Sequence, residues 1–193
     1  ALVIDPGASM NEIQNVLESE DAKIQHIILT HAHFDHVGSA AELVKRYNVR
    51  IHMHDGDKRL LRMASTYALR FAKRNIETPK KYSSLGNEPI LWAGDDIRVI
   101  STPGHTEGSV CYKIGGICFT GDTLMQNIIG NSDLPGSDFD HLRRSISRLF
   151  NELSSDVELY PGHGRAWSVA DAKAWWMQAQ HREANDHDIK GEF

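Results

Sequence analysis

The chain has 193 residues, with 21 Lys and Arg against 26 Asp and Glu, and its net charge of −5 gives no overall attraction to a nucleic-acid backbone or an anionic membrane. The length fits one domain over residues 1–193, enough to remove about 70% of the unfolded surface from water. No run of 18 apolar residues exists and the first residues lack the basic-then-apolar pattern of a signal peptide, so the chain reads as soluble and is assigned to the cytoplasm, with its oligomeric state left open.

The opening ALVIDPGAS is an apolar run closed by a Pro-Gly turn, a strand that belongs inside a sheet, so the native protein is expected to begin before Ala1. Met10 to Ser19 predicts a helix, with Ile13, Val16 and Leu17 at i, i+3, i+4 spacing. IQHIILT predicts the next strand, VGSAAELVKRY (Val37 to Tyr47) a second helix and VRIHMH a third strand. Residues 55–82 are helical in pattern and locally basic, with Lys58, Arg59, Arg62, Arg70, Lys73, Arg74, Lys80 and Lys81. That stretch reads as a solvated amphipathic helix, the alternative being a lid that draws an anionic substrate to a nearby site.

Further strands are expected at Ile97 to Ser101, Ser109 to Ile114, Gly116 to Thr120 and Val157 to Tyr160. Phe139 to Leu153 predicts a helix, its Asp138-Phe139-Asp140 start supplying acid where a helix dipole favours it. A last helix runs from Val169 to Ala184, ahead of the polar tail NDHDIKGEF. Strands alternating with helices imply a layered α/β domain. The two cysteines lie in SVCYKIGGICFTG, a hairpin turning at Gly115-Gly116. In that register Lys113 faces Cys118, so Cys111 and Cys118 are diagonal neighbours and are expected to be core thiols rather than a disulfide.

The chemistry concentrates in four turns that each follow a strand: THAHFDHVG (His31, His33, Asp35, His36), STPGHTEGS (His105), FTGDTL (Asp122) and LYPGHGR (His163). Five histidines and two carboxylates suffice for two metal ions, since a catalytic zinc takes three protein ligands and keeps one position for water. Glycine beside a ligand in PGH, GD and PGHG allows a tight turn and a close backbone approach. The HxHxDH segment needs no helix, because irregular backbone after a strand can fan its side chains to two sides. His26, His141, His181 and His187 are read as surface or core-edge residues. His52 and His54 share one strand face but lack an acidic or glycine-turn partner, and a structural role is expected for them too.

These motifs resemble the metallo-β-lactamase-fold hydrolase superfamily, and THAHFDHVG with PGHTEGS, FTGD and YPGHG is most similar to its glyoxalase II-like (hydroxyacylglutathione hydrolase-like) branch. The resemblance spans ALVIDPG to YPGHG. It implies a four-layer αββα sandwich, two mixed sheets between helical layers, with a metal centre at one edge. Carried over, His31, His33 and His105 bind a first metal, Asp35, His36 and His163 a second, and Asp122 bridges them. Two divalent ions are implied, with zinc expected and iron or manganese as alternatives.

The activity this implies is hydrolysis of a thioester or other ester-like bond by a hydroxide held between the ions, with Asp35 and Asp122 in catalytic roles and a small molecule, anionic if the basic stretch is a lid, as substrate. Alternatives within the fold are a mononuclear iron persulfide dioxygenase, which uses the positions of His31, His105 and Asp122, and a lactonase or β-lactamase. Nucleic acid is not expected as a substrate, since nothing here is long enough for the extra domain that nucleases of this fold carry. Three departures accompany the resemblance. The family's first strands have no counterpart before ALVIDPG. Gly130-Asn131-Ser132-Asp133 stands where an arginine often follows the glycine. The 30 residues after His163 are too few for the helical domain with which glyoxalase II holds glutathione.

Overall fold

In the computed structural model, which describes residues 1–86 and 90–183, the apolar opening forms β1 (Leu2–Ile4) and leads into α1 (Met10–Ser19). A capping box starts α1: the Ser9 side chain accepts from the Glu12 amide while the Glu12 carboxylate accepts from the Ser9 amide. Then come β2 (His26–Ile28), α2 (Phe34–Val37), α3 (Ala40–Tyr47), β3 (Arg50–Met53), a single 3-10 turn at Asp55–Asp57, α4 (Lys58–Ala72) and β4 (Ser83–Ser84). The second half contributes β5 (Ile90–Trp92), β6 (Asp95–Ser101), β7 (Val110–Ile114), β8 (Ile117–Gly121) and the short hairpin β9 (Leu124–Met125) and β10 (Ile128–Ile129). It ends with α5 (Phe139–Glu152), β11 (Glu158–Pro161), β12 (Trp167–Ser168) and α6 (Val169–Glu183).

Two sheets result. One is parallel throughout in the order β1-β2-β3-β4, and the other is mixed in the order β12-β11-β8-β7-β6-β5. The period-two alternation of side chains distributes them among three apolar layers. In β2 and the residue after it, Ile27 and Leu29 pack under α1, α3 and α4, whereas Ile28 turns the other way to meet Val110 and Tyr112 of β7. Cys111, between those two, faces instead the layer formed with α5 and α6, among Leu142, Ile146, Leu149 and Trp176. Helices, sheet, sheet, helices is the αββα sandwich. No helix among the described residues is long and apolar enough to cross a membrane.

The hairpin turns as expected, with Ile114 opposite Ile117 and Lys113 opposite Cys118, and both cysteines are buried and free. Asp138 caps α5 by accepting from the His141 amide at 2.7 Å. Three expectations need correction. The helix expected over Val37 to Tyr47 is broken at Gly38-Ser39, where the Ser39 amide leaves the helix to donate to Pro6 O and its hydroxyl to Ala8 O. The helical pattern of 55–82 holds only to Ala72, because Lys73 adopts left-handed φ (54°) and returns its amide to Ala68 O. The segment around HxHxDH is not wholly irregular either, since Phe34–Val37 makes one helical turn carrying Asp35 and His36. The strands β4, β5, β9, β10 and β12 are too short, at two or three residues, to leave a period-two signature. Ala184, the tail and His187 lie outside the described residues.

Candidate metal centre

The four ligand-bearing turns meet at one edge of the sandwich. The turn after β2 carries His31 and His33 and runs into α2 with Asp35 and His36. The turn between β6 and β7 supplies His105, the end of β8 supplies Asp122 and the end of β11 supplies His163. Glycine is required at two of these turns. At Gly104, with φ of 141°, a Cβ would fall 2.2 Å from the Leu142 amide nitrogen, and at Gly162 it would fall 2.3 Å from Asp122 Oδ1.

The imidazole tautomers follow from the outer hydrogen bonds. The Thr30 hydroxyl donates to Asp5 and therefore accepts from His31 Nδ1 at 3.1 Å, which leaves His31 Nε2 as the bare nitrogen. That atom and Asp122 Oδ1 are buried with no hydrogen-bond partner among the described residues. His36 Nδ1 donates to Asp5 at 3.0 Å and His105 Nδ1 to the Asn131 carbonyl at 2.8 Å, turning both Nε2 atoms inward. An imidazole fixed on one side by a carboxylate or carbonyl and bare on the other is arranged to ligate a metal.

Two triads of ligand atoms converge, each within 4.8 Å: His31, His33 and His105, and Asp35, His36 and His163. In the first, His33 Nδ1 and His105 Nε2 are 2.9 Å apart; in the second, His36 Nε2 and His163 Nε2 are 3.3 Å apart. The ligand atoms of a tetrahedral zinc stand about 3.3 Å from one another. Between the triads lies Asp122. Its Oδ2 is 4.0 Å from His31 Nε2, 3.7 Å from His105 Nε2 and 3.7 Å from His163 Nε2, and its Oδ1 is 3.4 Å from His36 Nε2. The buried bare nitrogen, the donor types and these spacings fit metal binding.

Electrostatics divide the triads. Burial, reinforced by neighbouring imidazoles, holds the His31 pKa well below the usual histidine range and lowers that of His33 to about 4, and burial also lowers His105. These three are neutral, as ligation demands. Burial opposes a charge on His36, but the carboxylates of Asp122 and Asp5 outweigh it and raise its pKa well above the usual range. His163, at 3.0 Å from Asp35, is also raised, and the Asp35 carboxyl, despite the opposing effect of burial, is lowered to about 2.

All seven sequence-derived positions, His31, His33, Asp35, His36, His105, Asp122 and His163, come together here. The histidines set aside do not: His52 Nε2 pairs with His26 Nδ1 at 3.3 Å, His54 Nδ1 accepts from the Gly56 amide, and His141 and His181 bond locally on α5 and α6. Two residues went unread in the sequence. Asp5, at left-handed φ (47°), accepts from the Thr30 amide and hydroxyl and orients His36; its signal is an acid breaking an apolar run before Pro-Gly. Asp57 is buried and accepts from Ala32 N, Thr106 Oγ1 and Gly108 N, so it clamps the His31–His33 turn to the His105 turn. Nothing in HMHDGDK marks it.

A cavity of about 840 Å³ opens over the cluster, with His33, Asp35, His105, Asp122 and His163 at its floor and a wall that includes Tyr67, Arg70 and Phe71 of α4.

Comparison with known proteins agrees with this geometry. Residues 1–163 match the model of the metallo-beta-lactamase superfamily. Hydroxyacylglutathione hydrolase GloC of Haemophilus influenzae is 31% identical over 178 residues, covering 90% of this chain and 84% of that protein. The probable polyketide biosynthesis zinc-dependent hydrolase PksB of Bacillus subtilis is 31% identical over 164 residues, covering 84% of this chain and 67% of that one. Among solved structures, TTHA1623 in a di-iron-bound form superposes with a TM-score of 0.81 at 32% identity, covering 87% of this chain and 84% of that chain.

Proposed function

From the premise that the chain belongs to the metallo-beta-lactamase superfamily and is a metal-binding hydrolase of that fold, we propose that it is a binuclear metallohydrolase that cleaves thioesters or related esters. The observation that carries this reading is the position of Asp122, one carboxylate within 4.0 Å of ligand nitrogens from both triads. Similarity to a hydroxyacylglutathione hydrolase at 31% identity supports the thioester class.

His31, His33 and His105 would hold one ion, Asp35, His36 and His163 the other, and Asp122 would bridge them. Bound there, divalent ions supply a water of lowered pKa and a Lewis acid that polarises a carbonyl, so no serine or cysteine nucleophile is needed. The chain's own contribution is positional. Asp122 fixes the separation of the two triads from a buried site. Asp35, ionised and at the cavity floor beside His163, would help hold the second ion and could accept a hydrogen bond from a water placed there, orienting it towards a carbonyl in the cavity. The Asn131 carbonyl orients His105.

The test joins metal analysis to turnover. Protein purified without added metal or chelator should carry close to two zinc ions, or a mixed pair, per chain and should hydrolyse S-lactoylglutathione or simpler thioesters. One iron per chain, with oxygen uptake on glutathione persulfide and no thioester hydrolysis, would replace this reading with the dioxygenase.

A further inference from the structure

The helix α4 makes one wall of the cavity, and its sequence is unusual for a helix that only covers a core. Leu61, Ala64 and Ala68 face inward and are buried. The flank between core and solvent carries Leu60, Tyr67, Arg70 and Phe71, and all four line the cavity above the metal-ligand floor. Met125, Leu134 and Pro135 line the same cavity, so the space away from the floor is predominantly apolar. Phe71 is 65% exposed and Leu134 40% exposed, an arrangement that leaves apolar surface in water unless something covers it. Arg70 is the only lysine or arginine among the residues that line this cavity. Its guanidinium sits 5.6 Å from the Phe71 ring centroid and has no carboxylate partner among the described residues, whereas Lys45 and Arg98 are each paired with a glutamate. The helix is also fixed relative to the floor, because α4 packs against α2, which carries Asp35 and His36.

We propose that this wall is a substrate subsite: the cavity takes a thioester with an apolar arm that lies along Leu60, Tyr67 and Phe71 and ends in an anionic group on Arg70. The proposal rests on the hydrolase reading above and narrows its substrate to amphiphilic anions, carboxylate or phosphate-ended, over polar arms of the same length. An apolar arm covers the exposed Phe71 and Leu134 surface, and an anion gives Arg70 the charge-assisted, planar contact it lacks. The basic character of the segment that follows, with Lys73 and Arg74, adds a longer-range pull on the same charge.

The experiment compares S-acetyl-6-mercaptohexanoate with S-acetyl-6-mercaptohexanol, and the monoethyl thioester of heptanedioic acid with its hydroxyl-ended analogue, on the metal-loaded protein. The first pair places the anion on the thiol arm and the second on the acyl arm. Wild type should favour the anion-ended member of at least one pair by about tenfold in kcat/KM. Arg70→Ala should erase that ratio mainly through KM, with Arg70→Lys restoring part of it, and lengthening the apolar arm should raise kcat/KM by about two- to fourfold per methylene until the wall is covered. Arg70 is exposed, so its replacement leaves the fold intact. A preference that survives Arg70→Ala arises at the metal-ligand floor and overturns the proposal, as does no preference in wild type. If no thioester turns over, the hydrolase reading fails separately, and calorimetry with the non-hydrolysable 6-(ethylthio)hexanoate and 6-(ethylthio)hexanol decides the subsite. Arg70-dependent preference for the anion supports it, and equal binding overturns it.

Discussion

The two triads differ more than their similar spacing implies. The imidazoles of His31 and His105 are 1% and 4% exposed, neutral, and backed by Thr30 and by the Asn131 carbonyl. The other triad mixes a buried His36 with Asp35 and with His163, whose side chain is 55% exposed. An all-nitrogen set favours retention of an ion, whereas a set with an exposed member and a carboxylate favours exchange. On the proposed reading, the His31 triad would anchor its ion and the His163 side would exchange its ion more readily.

The most damaging way to break the comparison is to remove what the two sides share. Asp122→Ala should lower kcat/KM by about a thousandfold or more, since several kcal/mol of charge stabilisation are lost, with far-ultraviolet circular dichroism unchanged. His33→Ala should do the same through the anchoring triad alone. Full activity in either metal-depleted variant would refute the metallohydrolase. The sharper test is asymmetric: His163→Ala should retain one ion, keep the His31 triad loaded and lose about 10- to 100-fold in activity. Chelator titration of the wild type should likewise release ions in two steps, and a single step would show the triads to be equivalent.

Smaller effects come from the support beneath each side. Asp5→Asn leaves His36 without the carboxylate that orients it and should weaken binding of the second ion by about 10- to 100-fold, read by competition with a zinc indicator. Beneath the anchoring side, the fully buried Tyr112 donates to the Leu29 carbonyl at 2.6 Å. Burial raises its pKa well above the ordinary value, so the folded chain keeps the phenol neutral while the unfolded chain ionises near 10. Stability should therefore hold up to that pH and fall as pH rises beyond about 10. Tyr112→Phe should flatten this alkaline loss while costing about 1 kcal/mol from the lost hydrogen bond, measured by urea unfolding across pH.

What could be read in the sequence was local. HxHxDH, PGH, GD and PGHG point to the seven clustered side chains because each motif is one turn long, and the apolar runs of β2 and β7 mark their strands. What escaped was set by distance along the chain. Asp5 reaches His36 across 31 positions and Asp57 reaches Gly108 across 51, and no window connects them. The end of α4 escaped for another reason. Its pattern continues past Ala72, yet Lys73 turns left-handed, a backbone choice that side-chain periodicity does not record. The cavity wall was legible only as a basic stretch, since Tyr67, Arg70 and Phe71 meet the metal-ligand residues around one cavity only once the chain has folded.

The 127 positions between His36 and His163 also bear on how the molecule is assembled. A chain emerging from its N-terminus presents HxHxDH early, but the second triad is complete only when β11 has paired with β8 and delivered His163. An ion bound across that span closes a very long loop, and it stabilises the native state in proportion to the logarithm of its concentration over its dissociation constant. On the proposed reading, metal supply would act on this protein twice, as a reactant-activating group and as a clasp on the join between early and late parts of the chain.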